Sequence, residues 1–221
     1  MRNILLDILK VIALVAMFIY HWYFYQFYLY TTPITYVVEI IGWLARFLFL
    51  FLFGYNFIYS KAKTLKLVFI RLKRLITAAL LVTITSYIYE PSLAIYFGVL
   101  HFFIFSAFVL YFLRAKPLLI AILTLVSSLG FVFALPTADF NYLFFLGLHT
   151  ADFASFDYFA FCPYFSFVGL GYLFAYYFKN HFQIAYVPNL YTDLCSFVAK
   201  RSLVLYLLHL PVIVLFDYML K

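Results

Sequence analysis

The chain has 221 residues, of which 68% are apolar, 25% aromatic and only 10% charged, with a formal net charge of +7. So little polar surface excludes a water-soluble domain of this length. The excess of Lys and Arg calls for no nucleic-acid partner; it reads as an insertion signal and as attraction to anionic lipid of the inner leaflet.

A helix needs about 20 apolar residues to cross about 30 Å of hydrocarbon, and runs of that length recur from end to end. In chain order they predict seven helices, over 4–24, 34–59, 67–89, 93–113, 117–135, 160–178 and 202–220. The fold class is therefore all-α, a polytopic transmembrane bundle of about seven spans. The breaks have physical causes. Thr31-Thr32-Pro33 and Glu90-Pro91-Ser92 are tight turns, and Arg114-Ala115-Lys116-Pro117 is a charged turn that ends one helix and starts the next.

Charge orients the bundle. With the N-terminus inside, the inner segments hold Arg2, Lys61, Lys63, Lys66, Arg71, Lys73, Arg74, Arg114, Lys116, Lys179, Lys200 and Arg201, twelve of the 15 Lys and Arg residues. The outer loops hold Glu90, Asp139, Asp152 and Asp157, and only Lys221 breaks the pattern. The expectation is N-terminus in and C-terminus out. The first span carries Asp7 and Lys10 and begins almost at Met1, unlike a cleavable leader. No repeat or soluble second domain is visible, so residues 1–221 read as one domain. Cys162 and Cys195 fall on opposite sides in this topology and should not pair. The Phe and Tyr residues, including the stretch Tyr20 to Tyr30, read mostly as lipid-facing and interfacial packing.

A charge in mid-span costs roughly 2.5–3.5 kcal/mol, so each one needs a reason. At about 100° per residue, Asp7, Lys10 and His21 lie within about 60° of one another on the first helix, in a stripe about 21 Å long. Such a stripe should face the bundle interior. A plainer reading leaves Asp7 and Lys10 as an ion pair one turn apart, with Lys10 snorkelling and His21 merely interfacial. Glu39 and Arg46 share a face of the second span, and Arg46 calls for a carboxylate, with Asp7 and Glu39 as candidates, for a backbone carbonyl or for an anionic ligand. His101 and His209 also fall within spans. No two of these histidines share a helix face at metal-ligand spacing, so no metal site is expected. The loop from Pro136 to Ala160, with Asp139, His149, Asp152 and Asp157, is long enough to carry function or act as a lid. The basic stretch 61–74 reads as a lipid-surface anchor.

The run Leu6, Asp7, Lys10, Ala13, followed by His21, resembles the opening of the heparan-alpha-glucosaminide N-acetyltransferase-like family of membrane proteins. Further stretches resemble the same family in order: Ile95 to His101, the outer-loop segment Phe145 to Tyr158, Phe161 to Gly171, and Lys200 through Tyr206, His209 and Pro211. The spacing in the first helix is also similar to that of integral membrane acyltransferases that modify surface polysaccharides. The chain departs from the family pattern at Lys10, where Arg is usual, and at Tyr25, where bacterial members often have an acid.

The resemblance implies transfer of an acyl group, acetyl above all, from cytosolic acyl-CoA to a sugar or other acceptor on the far side of a bacterial inner membrane. His21 would act as general base or acyl carrier, with Asp7 beside it. Lys10, Arg46 and Arg201 would hold the phosphates of acetyl-CoA, which is a co-substrate and not a bound cofactor. His101, Asp157 and His209 are further candidates. The partners implied are membrane lipid, acyl-CoA, a carbohydrate or glycolipid acceptor and a second copy of the chain. A transporter or flippase for an anionic or lipid-linked solute is an alternative, with Lys10, Arg46 and the histidines as its path; a non-catalytic membrane subunit is another.

Overall fold

The structure, a computed structural model, describes residues 3–133, 137–178, 184 and 186–219. Among them are eight α-helices and no strand: α1 (Ile4–Tyr30), α2 (Tyr36–Ile58), α3 (Leu65–Tyr89), α4 (Val99–Leu113), α5 (Pro117–Leu129), α6 (Phe161–Phe178), α7 (Leu190–Lys200) and α8 (Ser202–Met219). Four of these, α1, α2, α6 and α8, are long and apolar enough to cross a membrane. With its apolar residues largely facing outward along these helices, the chain is an integral membrane protein. Arg2, Lys179, Pro136 and Lys221, which entered the charge and loop readings, lie outside the described residues.

The helix ends follow from their sequences. The Asn3 side chain accepts from the Leu5 amide to start α1. Thr31, in the left-handed region at φ 56°, stops it by donating its N–H to the Phe27 carbonyl. The aromatic run up to Tyr30 is thus helical, and the first helix is longer than the sequence predicts. The Thr64 side chain caps α3, and Pro117 opens α5 at a position where its missing N–H costs nothing.

Three expectations need correction. The predicted helix 93–113 begins only at Val99, after a 3-10 turn over Pro91–Leu93 and an irregular stretch through Gly98. The predicted helix 117–135 ends at Leu129, in turns that begin at Gly130. A helix that the hydropathy reading passes over, α7, precedes the last span. It starts at a capping box in which Asn189 and Thr192 each bond the other's backbone.

The chain divides into two compact units, residues 1–52 with 178–221, and residues 53–177. In the first, α1 packs against α7 and α8. Its core gathers Leu14, Ala16 and Met17 with Ala45 of α2, flanked by Val198, Leu205 and Tyr206. Small residues at the contact allow close packing, which is what holds helices together where lipid removes the hydrophobic drive.

In the second unit α3 packs on α4 through Val68, Leu72 and Ala107. Here the break before α4 is a built feature. Ala94, Ile95 and Phe97 are buried, so their backbone must be satisfied inside the protein. Ser86 Oγ accepts from the Ile95 amide (2.9 Å) and Thr83 Oγ1 donates to the Ile95 carbonyl (2.7 Å). Ser155 Oγ donates to the Ala94 carbonyl (3.0 Å), and the Phe159 amide donates to that of Phe97 (3.0 Å). At the other end of this unit Arg114 donates to the carbonyls of Ala62 and Lys63 (3.0 and 2.9 Å), tying the two basic turns together.

Candidate active site

The polar stripe of α1 faces α7 and α8. At its N-terminal end Asp7 is buried, accepts from Ser196 Oγ of α7 (3.1 Å) and has Lys10 Nζ at 4.0 Å. The ion pair of the plainer reading is therefore present, and Ser196 fixes it to a second helix. Arg201, at the junction of α7 and α8, lays its guanidinium over the Phe197 ring at 3.7 Å from the centroid.

About 21 Å further along the helix, His21 meets His209 of α8, ring centroids 4.6 Å apart and planes at 70°. His21 Nδ1 bonds the Met17 carbonyl at 2.9 Å, and His209 Nδ1 bonds that of Tyr206. A carbonyl only accepts, so each Nδ1 carries a proton, and in the neutral form of either ring Nε2 is the lone pair. His209 is buried, and its Nε2 has no hydrogen-bond partner among the described residues. As a whole residue His21 is the more exposed of the two.

Arg46 departs from expectation. Its partner is neither Asp7 nor Glu39 but the Tyr20 hydroxyl, to which it donates at 2.9 Å, and its guanidinium lies over the rings of Tyr20 and Trp43. Gly42 makes this possible: a Cβ there would lie 2.4 Å from the Tyr20 ring. Tyr20 in turn packs edge-on against His21. Sequence reasoning missed Tyr20 because an interfacial tyrosine in an aromatic run carries no distinguishing signal. It also missed Asp217, a buried carboxylate of α8 that accepts from Gln26 (3.1 Å) and Tyr30 (2.8 Å) of α1. The signal was there, since Asp217 is a charge within a predicted span, eight residues beyond His209.

His101 and Asp157 belong to the second unit. Thr83 has one hydroxyl proton and gives it to Ile95, so it accepts from His101 Nε2 at 3.1 Å. That leaves His101 Nδ1 as a buried acceptor with no hydrogen-bond partner among the described residues. Asp157 Oδ2 accepts from the Val99 amide (3.0 Å) and so caps α4, where a carboxylate also suits the helix dipole. Gly98 allows the approach, since a Cβ there would lie 2.3 Å from Asp157 Oδ2.

The loop 137–160 folds on its own aromatics, with Phe153, His149 and Tyr158 in mutual ring contact. Beside them opens a cleft of about 240 Å³, lined among others by Thr137, His149, Tyr158 and Tyr164. Burial, and secondarily Tyr164, pushes the Tyr158 hydroxyl up to about 12, so it stays a donor, and it bonds the Phe144 carbonyl. Among the described residues no group of three His, Cys, Asp or Glu is placed to hold a metal ion.

The fold and these buried polar groups define a polytopic helical membrane protein with an imidazole pair inside the bundle. Residues 2–211 match the family described as heparan-alpha-glucosaminide N-acetyltransferase, catalytic. The chain belongs to this family of membrane acetyltransferases. No curated protein and no solved structure matches it.

Proposed function

We propose that the chain is a transmembrane acyltransferase that moves an acetyl group from cytosolic acetyl-CoA to a sugar or other acceptor on the outer face of a bacterial inner membrane. It crosses seven times as one domain, N-terminus in and C-terminus out. α3 keeps its basic first half at the inner surface, and α4 is completed by the buried stretch before it. The clustering of Lys and Arg supports this orientation, as does the Arg114 bridge between two basic turns. α7 is the interfacial helix, with Ser196 and Ala199 inward and Leu190, Leu194 and Phe197 outward.

The observation that carries the reading is the state of His21. Its Nδ1–H is tied to Met17, and Nε2 is left as a lone pair suited to taking a proton. In the reaction the acceptor O–H or N–H attacks the thioester carbonyl, its proton passes to His21 Nε2, and the C–S bond breaks to release the CoA thiolate. Lys10, Arg46 and Arg201 supply positive charge for the CoA phosphates, and Asp7 holds Lys10 in place. The loop 137–160 carries an aromatic and hydroxyl-lined cleft of a kind that suits a sugar ring. The protein works as a homo-oligomer in the lipid bilayer.

The test is acetyl-CoA binding and thiol release by the purified protein in nanodiscs, with glucosamine as the acceptor probe. Wild type is expected to bind and turn over acetyl-CoA, His21→Ala to bind without turnover, and Arg46→Ala to lose binding. A wild-type protein that neither binds nor turns over acetyl-CoA would sink the reading and favour a transporter or a non-catalytic subunit.

A further inference from the structure

Charge is segregated within residues 53–177. Every Lys and Arg of this unit falls in 61–74 or 114–116, and its carboxylates are Glu90, Asp139, Asp152 and Asp157. The cationic stretches flank the start of α3 and the end of α4. The loop 137–160 is fastened instead at the start of α4, through Ser155 to Ala94, Phe159 to Phe97 and Asp157 to Val99. The 15 residues of α4 separate that end from Arg114 by about 22 Å. This exceeds two Debye lengths at physiological salt, about 8 Å each. A ligand at the loop therefore meets the carboxylates of this unit and none of its cations.

The cleft of about 240 Å³ beside the loop is smaller than the roughly 300–1,000 Å³ of sites for drug-sized molecules. It has room for one sugar ring. Tyr158 and Tyr164 among its lining offer aromatic faces, which suit C–H groups and attract ammonium. His149 Nδ1 bonds the Thr150 carbonyl at 2.9 Å, so in the neutral ring Nε2 is an acceptor. Two cross-links hold the margin together: the Ala138 amide donates to the His149 carbonyl (2.9 Å), and the Thr150 amide to Asn141 Oδ1 (2.8 Å). Asp139 stands between these cross-links in the chain and Asp152 two residues beyond them, and both are exposed.

We propose that this end of the unit selects the acceptor by charge: the cleft takes a single uncharged or ammonium-bearing sugar ring, and Asp139 and Asp152 reject rings that carry a carboxylate, sulfate or phosphate. The proposal deepens the acyltransferase reading and rests on it for the role of the cleft ligand as acceptor. An anionic ring finds two like charges here and none of the Lys or Arg forks by which proteins bind anions. An ammonium finds counter-charge and aromatic faces together. Asp157 is set apart from this role, because its Oδ2 caps α4.

The experiment is saturation-transfer NMR titration of the whole protein in nanodiscs, without acetyl-CoA, using glucosamine, glucose and glucuronic acid. These rings are of similar size and carry positive, no and negative charge at neutral pH. Wild type should bind glucosamine at least as tightly as glucose. Glucuronate should bind about fivefold or more weakly than glucose at low salt, the effect in water of two like charges about 8 Å away, and the gap should narrow as salt rises. Asp139→Asn/Asp152→Asn should bring glucuronate level with glucose while leaving glucose binding in place, and Asp139→Lys should favour glucuronate. His149→Leu should weaken all three sugars without changing their order, which places them in the cleft. Glucuronate binding as tightly as glucose to wild type, the wild-type order kept in both Asp variants, or no binding of any sugar overturns the proposal. The order of binding is read apart from turnover. A protein that shows this order but neither binds nor turns over acetyl-CoA defeats the acyltransferase reading alone, and one that turns over acetyl-CoA without this order defeats the charge selection alone.

Discussion

In residues 53–177 the polar side chains of Thr83, Ser86, Ser155 and Asp157 each bond the backbone of the break before α4. In the other unit His21 and His209 commit one ring nitrogen each to a carbonyl and retain the second. The first arrangement is architecture, because polar atoms there replace hydrogen bonds that a continuous helix would have made for itself. The second leaves acceptor atoms over, and surplus buried acceptors are where proton chemistry can be placed. His101 stands between the two cases: Nε2 serves Thr83, and through it the break, while Nδ1 is left over.

The largest expected effect tests that difference directly. His21→Ala should lower turnover of acetyl-CoA by about 100-fold or more while leaving the thermal midpoint in detergent close to wild type. A melting temperature that falls along with activity would place the pair among the architectural groups. Next, Asp157→Ala should destabilise the protein by about 1–3 kcal/mol, the cost of orphaning a buried amide, read as an earlier thermal transition. Gly98→Ala should act in the same direction by displacing the same carboxylate. If Asp157→Ala abolishes turnover without moving the transition, its role is chemical and the contrast between the units fails.

Ser196→Ala should cost about 1 kcal/mol, the worth of one hydrogen bond, and loosen α7, which accelerated hydrogen exchange over 190–200 would reveal. The smallest effect concerns pH. Tyr158 titrates near 12 in the folded protein and near 10 when unfolded. Below pH 10 the hydroxyl is neutral in both states and contributes no pH dependence. Between pH 10 and 12 the unfolded form binds fewer protons, so stability falls as pH rises. Tyr158→Phe should flatten that decline, and an unchanged alkaline melting profile would count against burial of this hydroxyl.

The spans most legible in the sequence were those whose apolar runs meet clear stops. α2, α3, α6 and α8 fall close to their predicted positions, and α1 starts where predicted but runs on to Tyr30. α4 was misjudged because the residues 94–98 are as apolar as any helix, and hydropathy cannot see that Thr83, Ser86 and Ser155 will satisfy their backbone. α7 was passed over because its mixed face is too short and too polar for a spanning signal, although Asn189 and Thr192 mark its start. At the candidate site, helical spacing was enough to align Asp7, Lys10 and His21 on one face. It could not name Ser196, more than 180 residues away, or replace a carboxylate with Tyr20 as the partner of Arg46.

By itself, then, the sequence determined an all-helical chain that lives in lipid, because local composition and periodicity set both helix formation and transfer from water. It also determined which faces of α1 and α2 carry polar groups. Tertiary structure alone decided which of those groups meet. Side-chain partners between helices depend on packing at small residues such as Gly42, Ala16 and Ala45. The pairing of His21 with His209 arises from contact between the first helix and the last, which no local pattern encodes.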